Sequence, residues 1–270
     1  VGFFIKAAQE LGLDKMGEGS SKNFISYGFG NNNDGSMLFR RGVVEEGEYR
    51  ELDPKLIYED TKHSYYETEE EWRNPMEGIT KPEVDKEGAY TWIMAARYHG
   101  KVFEAGPLAR QIVNNDPLIM DLVDKFGVNT FTRTIARLHE CLVILPNLIK
   151  WVDEIDLLKP FHHPFPPEIR VGAGMGLVEA PRGALGHFVT IENAACLSYQ
   201  IMTPTTWNGS PTDSNGQKGP IERALIGVKI KSKNSNVEVA HIVRSFDPCI
   251  SCSIHAVGEN KAIVRIEPSA

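Results

Sequence analysis

The apolar period changes several times along the chain. Residues 2–12 carry it at helical spacing. "SKNFISYGFGNNNDGSMLFRRGVV" instead predicts two short strands around the turn signal Asn33-Asp34-Gly35. Residues 45–90 are acidic, aromatic and weakly periodic, so loops and short elements are expected. "GPLARQIVNNDPLIMDLVDKFG" predicts a helix, an Asp-Pro break and a second helix. The longest helical signal follows, with Ile135, Leu138, Leu142 and Leu145 at three-to-four spacing and Pro146 expected to kink or split it. "HHPFPPEIRVGAGMG" reads as a loop, "HFVTIENAACLSYQIMTPTTW" as a hairpin and "NGSPTDSNGQKGP" as a loop of turn formers. A helix over residues 221–230 is expected after Pro220. With helices concentrated in the first 160 residues and short strands in the last third, the expected class is a predominantly helical α+β chain. No internal repeat and no clean linker interrupts it.

Composition narrows the function classes. At 270 residues the chain is long enough for one large or two ordinary domains. Hydrophobic content of 41% and charged content of 24% are ordinary for a globular protein. A net charge of −7 without a basic block argues against nucleic acid as a partner. The runs "EEGEYREL" and "YETEEEW" read as solvated faces. "CLVILPNLIKWV" is cut by a proline and a lysine before it reaches membrane-spanning length. The chain opens on "VGFFIKAAQELG" with neither an initiator methionine nor a signal-peptide pattern, so residues are expected upstream.

The chemistry concentrates near the C-terminus. Of four cysteines, Cys141 and Cys196 lie in apolar stretches and are expected to be buried small hydrophobes. Cys249 and Cys252 stand three apart, with His255 three further on. That spacing suits a redox disulfide, half of a zinc site, or a thiolate pair on a transition metal. A thioredoxin-like arrangement wants the pair early in a compact α/β unit, which disfavours it. A zinc site needs a further ligand, for which His162, His163 and His187 are candidates. Pro248 fixes the backbone before the pair. Asp247 would raise a neighbouring thiol's pKa unless a multivalent cation reverses that logic. "GAGMG" lacks a βαβ context and reads as backbone packed closely behind a site rather than a dinucleotide loop.

"DPCISCSIH" resembles the C-terminal metal-binding motif, Asp-Pro-Cys-x-x-Cys-x-x-His, of the large subunit of nickel-iron hydrogenases. Four further segments resemble the same family in order: "NFISYGFG", "GAYTWIMAARYHGKVFEAGPLAR", "EAPRGALGHF" and "SYQIMTPTTWNGSPTD". Together they cover most of the chain. The family's N-terminal Cys-x-x-Cys pair and its nearby acidic proton-transfer residue have no counterpart here, and Ala96 replaces a proline. The resemblance is therefore to the C-terminal portion of a large subunit, over residues 1–255, with 256–270 as an extension removed on maturation.

The resemblance implies a hydrogenase large-subunit-like fold with long helices and peripheral hairpins. It implies reversible heterolytic cleavage of dihydrogen to protons and electrons. Cys249 would be a terminal nickel ligand and Cys252 a nickel-iron bridge, on a centre carrying carbonyl and cyanide. His255 and the backbone carbonyl of Ile201 would help hold magnesium. Arg182 would hang over the open metal position, held by Asp247, with Pro181 beside it and Thr205 donating to a cyanide. The catalytic set is then Cys249, Arg182 and Asp247, with the Cys249 thiolate as base and Arg182 as its rival. Implied partners are an iron-sulfur small subunit, the N-terminal part of the large subunit with the other cysteine pair, and a maturation endopeptidase. A periplasmic or membrane-associated location, reached on the partner's signal peptide, is favoured over a cytoplasmic one. The alternatives are a zinc-binding or redox CxxC module, and a non-catalytic relative of the complex I quinone-site subunit.

Overall fold

In a computed structural model the first helical period forms α1 (Gly2–Glu10). The structure describes residues 2–32, 34–68, 72–78, 80–162, 164, 169–230 and 236–249, and the backbone of 254–257 and 263–266. The alternating stretch forms β1 (Phe24–Asn31) and β2 (Met37–Glu45), antiparallel from Phe24↔Val44 to Asn31↔Met37. Next come β3 (Glu48–Arg50), β4 (Ile57–Asp60), β5 (Ala95–Tyr98) and β6 (Glu104–Ala105). One sheet has the order β3-β2-β1-β6, with β6 parallel to β1, while β4 and β5 pair separately.

Three helices follow: α2 (Pro107–Val113), α3 (Pro117–Phe126) and α4 (Thr130–Asp153). Asp116 caps α3 by accepting from the amides of Leu118 and Ile119, with Pro117 at the first helical position. Asn129 and Thr132 form a capping box at the start of α4. Pro146 does not split α4, which runs for 24 residues. Asn147 Nδ2 donates to the Val143 carbonyl at 2.9 Å, adding a side-chain bond beside the amide that proline lacks.

The second half opens with a three-stranded meander, β7 (Val171–Ala180), β8 (Gly183–Glu192) and β9 (Ala195–Met202). Short helices α5 (Pro204–Asn208), α6 (Pro220–Leu225) and α7 (Val237–Ser245) follow. The chain's last described elements are β10 (Ile254–Val257) and β11 (Ile263–Ile266), paired antiparallel.

Among the described residues, seven α-helices stand beside eleven strands, and only α4 exceeds ten residues. The chain is therefore mixed α/β rather than the predominantly helical α+β protein expected, and its helices are mostly short. Two local causes account for the difference. β7 was expected to be loop because Gly172, Gly174 and Gly176 occupy alternate positions and erase the apolar-polar contrast of a strand. Four strands, β3 to β6, also fall between residues 48 and 105, beyond the two that were expected before them, in a region read chiefly as loops and short elements. The helix expected over 221–230 ends at Leu225, where Ile226 is extended and Gly227 turns left-handed at φ +79°.

Three apolar clusters hold the elements together. One packs the early helices on the first sheet through Phe24, Val44, Leu108, Ile119, Phe131 and Ile135. The second lies among the sheets, with Tyr27, Ile57, Phe103, Phe188, Met202 and Trp207. The third joins α6 to α7 through Ile221, Ile242 and Phe246. Burying a side chain such as Phe131 contributes about 2–3 kcal/mol. The apolar face read on α4 divides sharply. Ile135 is buried, whereas Leu138, Leu142 and Leu145 are 39%, 58% and 57% exposed. Cys141 on the same helix and Cys196 in β9 are also exposed, not buried as expected.

Candidate metal centre

Arg182 sits in the tight turn between β7 and β8, followed by Gly183 at φ +134°. A Cβ on Gly183 would lie 2.7 Å from the Gly106 amide nitrogen, and Gly106 is itself at φ +125°. The two backbones touch because both positions are glycine. That contact seats the turn against the start of α2. From α2, Arg110 reaches back to the turn and donates to the carbonyls of Ala180 and Pro181, each at 2.9 Å. The same guanidinium grips Glu140 of α4 with two bonds of 2.7 Å and Glu179 of β7 at 2.6 Å. Glu179 also accepts from the Tyr27 amide of β1 at 2.6 Å.

The opposite wall comes from the segment after α7. Asp247 adopts φ +53°, which swings its carboxylate between two arginines. Its Oδ1 is 3.3 Å from Arg182 Nε and its Oδ2 is 3.7 Å from Arg137 Nε. Arg182 Nε is buried and makes no directed hydrogen bond, so its contact with Asp247 is electrostatic. Arg137 additionally donates to the Ser245 carbonyl at 3.0 Å. Two residues beyond Asp247, the amide of half-buried Cys249 donates to Thr205 Oγ1 at 3.2 Å. Thr205, in α5, keeps its own hydroxyl proton available to a further acceptor. Asn208 of the same helix bonds both the amide and the carbonyl of Ala105, at 3.0 and 2.8 Å.

Between these walls lies a cavity of about 460 Å³. Arg110, Arg137, Glu140, Glu179 and Asp247 form its polar side, and Phe29, Ile144, Leu145, Leu148 and Pro181 its apolar side. Burial lifts the Glu179 carboxyl to about 7, against the pull of Arg110. Burial also works against the charge on Arg110, but Glu140 and Glu179 more than offset it and push its pKa above the usual arginine value.

Residues 5–255 match the family nickel-dependent hydrogenase. The chain belongs to that family. It is 31% identical over 311 aligned positions to the quinone-reactive Ni/Fe-hydrogenase large chain of Wolinella succinogenes, covering 94% of this chain and 52% of that one. It is 34% identical to the periplasmic [NiFeSe] hydrogenase large subunit of Desulfomicrobium baculatum, over 87% of this chain and 50% of that one. Among solved structures, the reduced Ni-Fe-Se hydrogenase of D. vulgaris Hildenborough superposes with a TM-score of 0.82 at 32% identity. That alignment covers 90% of this chain and 54% of the solved one. The chain thus spans about half the length of the hydrogenase large subunits it matches.

Within this hydrogenase chain, the five motif segments converge on one place. β1 meets β7 through Tyr27 and Glu179, α2 meets the β7–β8 turn through Arg110, and α5 meets Cys249 through Thr205. Pro181 and Asp247 line the cavity, Arg182 contacts Asp247, and Thr205 contacts Cys249. Ile201 lies in β9, its side chain exposed, in register with His187 of β8. Cys252 and the side chain of His255 lie outside the described residues, as does His163. Among the described residues no cluster of three or more His, Cys, Asp and Glu side chains is formed. His162 is exposed, and His187 Nδ1 is 2.7 Å from the Tyr199 hydroxyl. "GAGMG" is a strand, and Gly174 and Gly176 have open space where a Cβ would stand, so it is not close-packed backbone.

Sequence reasoning passed over Arg110, Arg137, Glu140 and Glu179. The available signal was a charged residue inside an otherwise small or apolar run, as in "GPLARQIV". Such a residue is buried only with a partner.

Proposed function

We propose that this chain is the catalytic, C-terminal portion of a nickel-iron hydrogenase large subunit, acting in the reversible conversion of dihydrogen to two protons and two electrons. Membership of the nickel-dependent hydrogenase family, with Arg182 held 3.3 Å from Asp247 beside Cys249, carries this reading. Cys249 would be a terminal nickel ligand and Cys252 would bridge nickel to iron. The donor chemistry fits, since a half-buried thiol is a soft ligand and Arg182 Nε, in charge contact with Asp247, makes no hydrogen bond. Bound there, a nickel-iron centre with carbonyl and cyanide ligands would supply Lewis acidity and the redox couple. His255 and the Ile201 carbonyl would be the chain's contribution to a magnesium site.

The protein's own groups then have separable tasks. The Cys249 thiolate accepts the proton released from dihydrogen. Arg182 is the weaker candidate, because a guanidinium with a pKa above about 12 is already protonated. Arg182 would instead present its planar donor fork to the bound centre, with Asp247 setting its direction. Pro181 shapes the wall, and Thr205 offers its hydroxyl to a cyanide while its oxygen holds the Cys249 amide.

Two thiolates cannot complete a four-thiolate centre, so the remaining pair would come from the N-terminal portion of the large subunit. The twofold length of the relatives supports this, as does the uncovered apolar face of α4 beside the cavity. Beyond Cys249 and Cys252 only Cys141 and Cys196 remain, too few for the four-cysteine ligation of an iron-sulfur relay, which implies an iron-sulfur small subunit. One relative is named as periplasmic and another as quinone-reactive, which favours a periplasmic or membrane-associated site of action. A maturation endopeptidase would remove residues 256–270. The family match ends at 255, and that cut would fall inside β10.

The test is to produce the chain alone, and together with an N-terminal portion, a small subunit and the maturation machinery. Nickel, iron and dihydrogen-dependent dye reduction are expected in the complex only. Zinc in place of nickel and iron in the complex would overturn the reading.

A further inference from the structure

Arg182 and Asp247 belong to separate elements, and nothing local sets the distance between them. Both are nevertheless tied to one turn of α4. Glu140 holds Arg110 with both carboxylate oxygens at 2.7 Å, and Arg110 in turn holds the carbonyls of Ala180 and Pro181, the two residues preceding Arg182. One helical turn before Glu140 stands Arg137. Its guanidinium is anchored on the Ser245 carbonyl and reaches Asp247 at 3.7 Å, and its spacing of three residues puts it on the same helix face as Glu140, where both line the cavity. Three basic and three acidic side chains therefore follow one another in alternation, Arg182, Asp247, Arg137, Glu140, Arg110 and Glu179, and all but Arg182 line the cavity. Glu140 is the member that stands between the two arms.

We infer that Glu140, acting through Arg110 and Arg137, is a positioning residue that fixes Arg182 relative to Asp247. Stability alone is a poor reason for such a network, since buried ion pairs add little net stability over apolar packing. What the network supplies is geometry. Both the turn that presents Arg182 and the carboxylate that orients it are referred to the same rigid helix. Glu140→Gln keeps the side chain's size but removes the charge and sets an amide against the Arg110 donors. Arg110 then loses its two-pronged grip, and the carboxylate one helical turn from Arg137 is gone. The turn and Asp247 are free to drift apart.

This inference rests on the proposed role of Arg182, and the experiment separates the two. Glu140→Gln, Arg182→Lys and the double variant are prepared in the metal-loaded complex. Glu140→Gln is expected to keep the parent's nickel and iron content and to show, crystallographically, the Arg182–Asp247 contact moved from 3.3 Å. Its turnover is expected to fall about tenfold in the parent but less than about twofold when Arg182 is already lysine, because residues acting as a unit are non-additive. An unmoved contact, or the same fractional loss in both backgrounds, overturns the inference. If Glu140→Gln does not accumulate, Arg137→Lys at its partly exposed site carries the same cycle and the same crystallographic readout. Parental turnover in Arg182→Lys alone would count against the role given to Arg182, while the contact distance still decides the role of Glu140.

Discussion

The Gly106 and Gly183 backbones approach so closely that a Cβ on Gly183 would meet the Gly106 nitrogen at 2.7 Å and its Cα at 3.0 Å. This contact docks the Arg182 turn on the start of α2. Gly183→Ala therefore meets two penalties, steric overlap and an L-residue at φ +134°. The expected loss is roughly 2–4 kcal/mol of unfolding free energy, together with most of the turnover of the assembled enzyme. Gly174→Ala is the matched control. It lies in β7 with nothing within 4 Å, and is expected to be neutral or stabilising by about 0.5 kcal/mol. Chemical denaturation of both variants checks the contrast.

The candidate site was legible where it is carried by short motifs. "DPC", "APRG" and "PTTW" name Asp247, Cys249, Pro181, Arg182 and Thr205, and these residues border one cavity or touch one another. Local turn chemistry was legible too. The β8–β9 hairpin closes on Asn193 and Ala194, both at positive φ, and the Asp116-Pro117 break starts α3. What escaped was whatever depends on distant partners. Nothing near Arg110 shows that Glu140 and Glu179 will meet it, because an ion pair between elements has no sequence period. Burial escaped for the same reason. Leu142 and Leu145 satisfy helical spacing, yet spacing does not say whether a face has a neighbour.

That uncovered face has a consequence for the isolated chain. Leu142, Leu145, Ile149 and Val152 of α4 are 58%, 57%, 67% and 64% exposed, and Leu157 and Leu158 beyond it are more so. An apolar stripe of this extent promotes association in water. The chain produced alone is expected to sediment as oligomers or aggregates. Replacing Leu142, Leu145 and Ile149 by lysine should shift it toward monomer, because their side chains leave no core cavity. Analytical ultracentrifugation of the two proteins decides this, and equal distributions would refute it.

Glu59 in β4 makes stability depend on pH. Burial lifts its carboxyl from 4.5 to about 7, partly countered by Arg73. The folded chain then binds more protons than the unfolded one between those values. Stability from this group is fully present below pH 4.5 and is lost as pH rises through about 7. The full effect is on the order of 3 kcal/mol. Glu59→Gln, which stays neutral, should flatten the decline between pH 5 and 7.5 in urea titrations. Retention of the parent slope would show that Glu59 is already ionised in the fold.

Arg182 is the residue on which the functional reading turns. It lies between Pro181 and Gly183, in a turn pinned by Arg110, with Asp247 at 3.3 Å and its Nε unbonded. A surface salt bridge would not need a pinned turn or a buried donor. Arg182→Lys keeps one positive charge but replaces a planar fork by a flexible point charge. Metal ligation by thiolates does not involve this side chain, so nickel and iron content should remain near the parent's. Turnover should fall by about two to three orders of magnitude, as expected when a donor that acts mainly in the transition state is lost. Asp247→Asn should act in the same direction and more weakly, because the amide still fills the space between Arg182 and Arg137. Elemental analysis and dihydrogen uptake, measured on the same preparations, separate the outcomes. Loss of metal in Arg182→Lys would make the residue structural, and parental turnover would remove it from the site altogether.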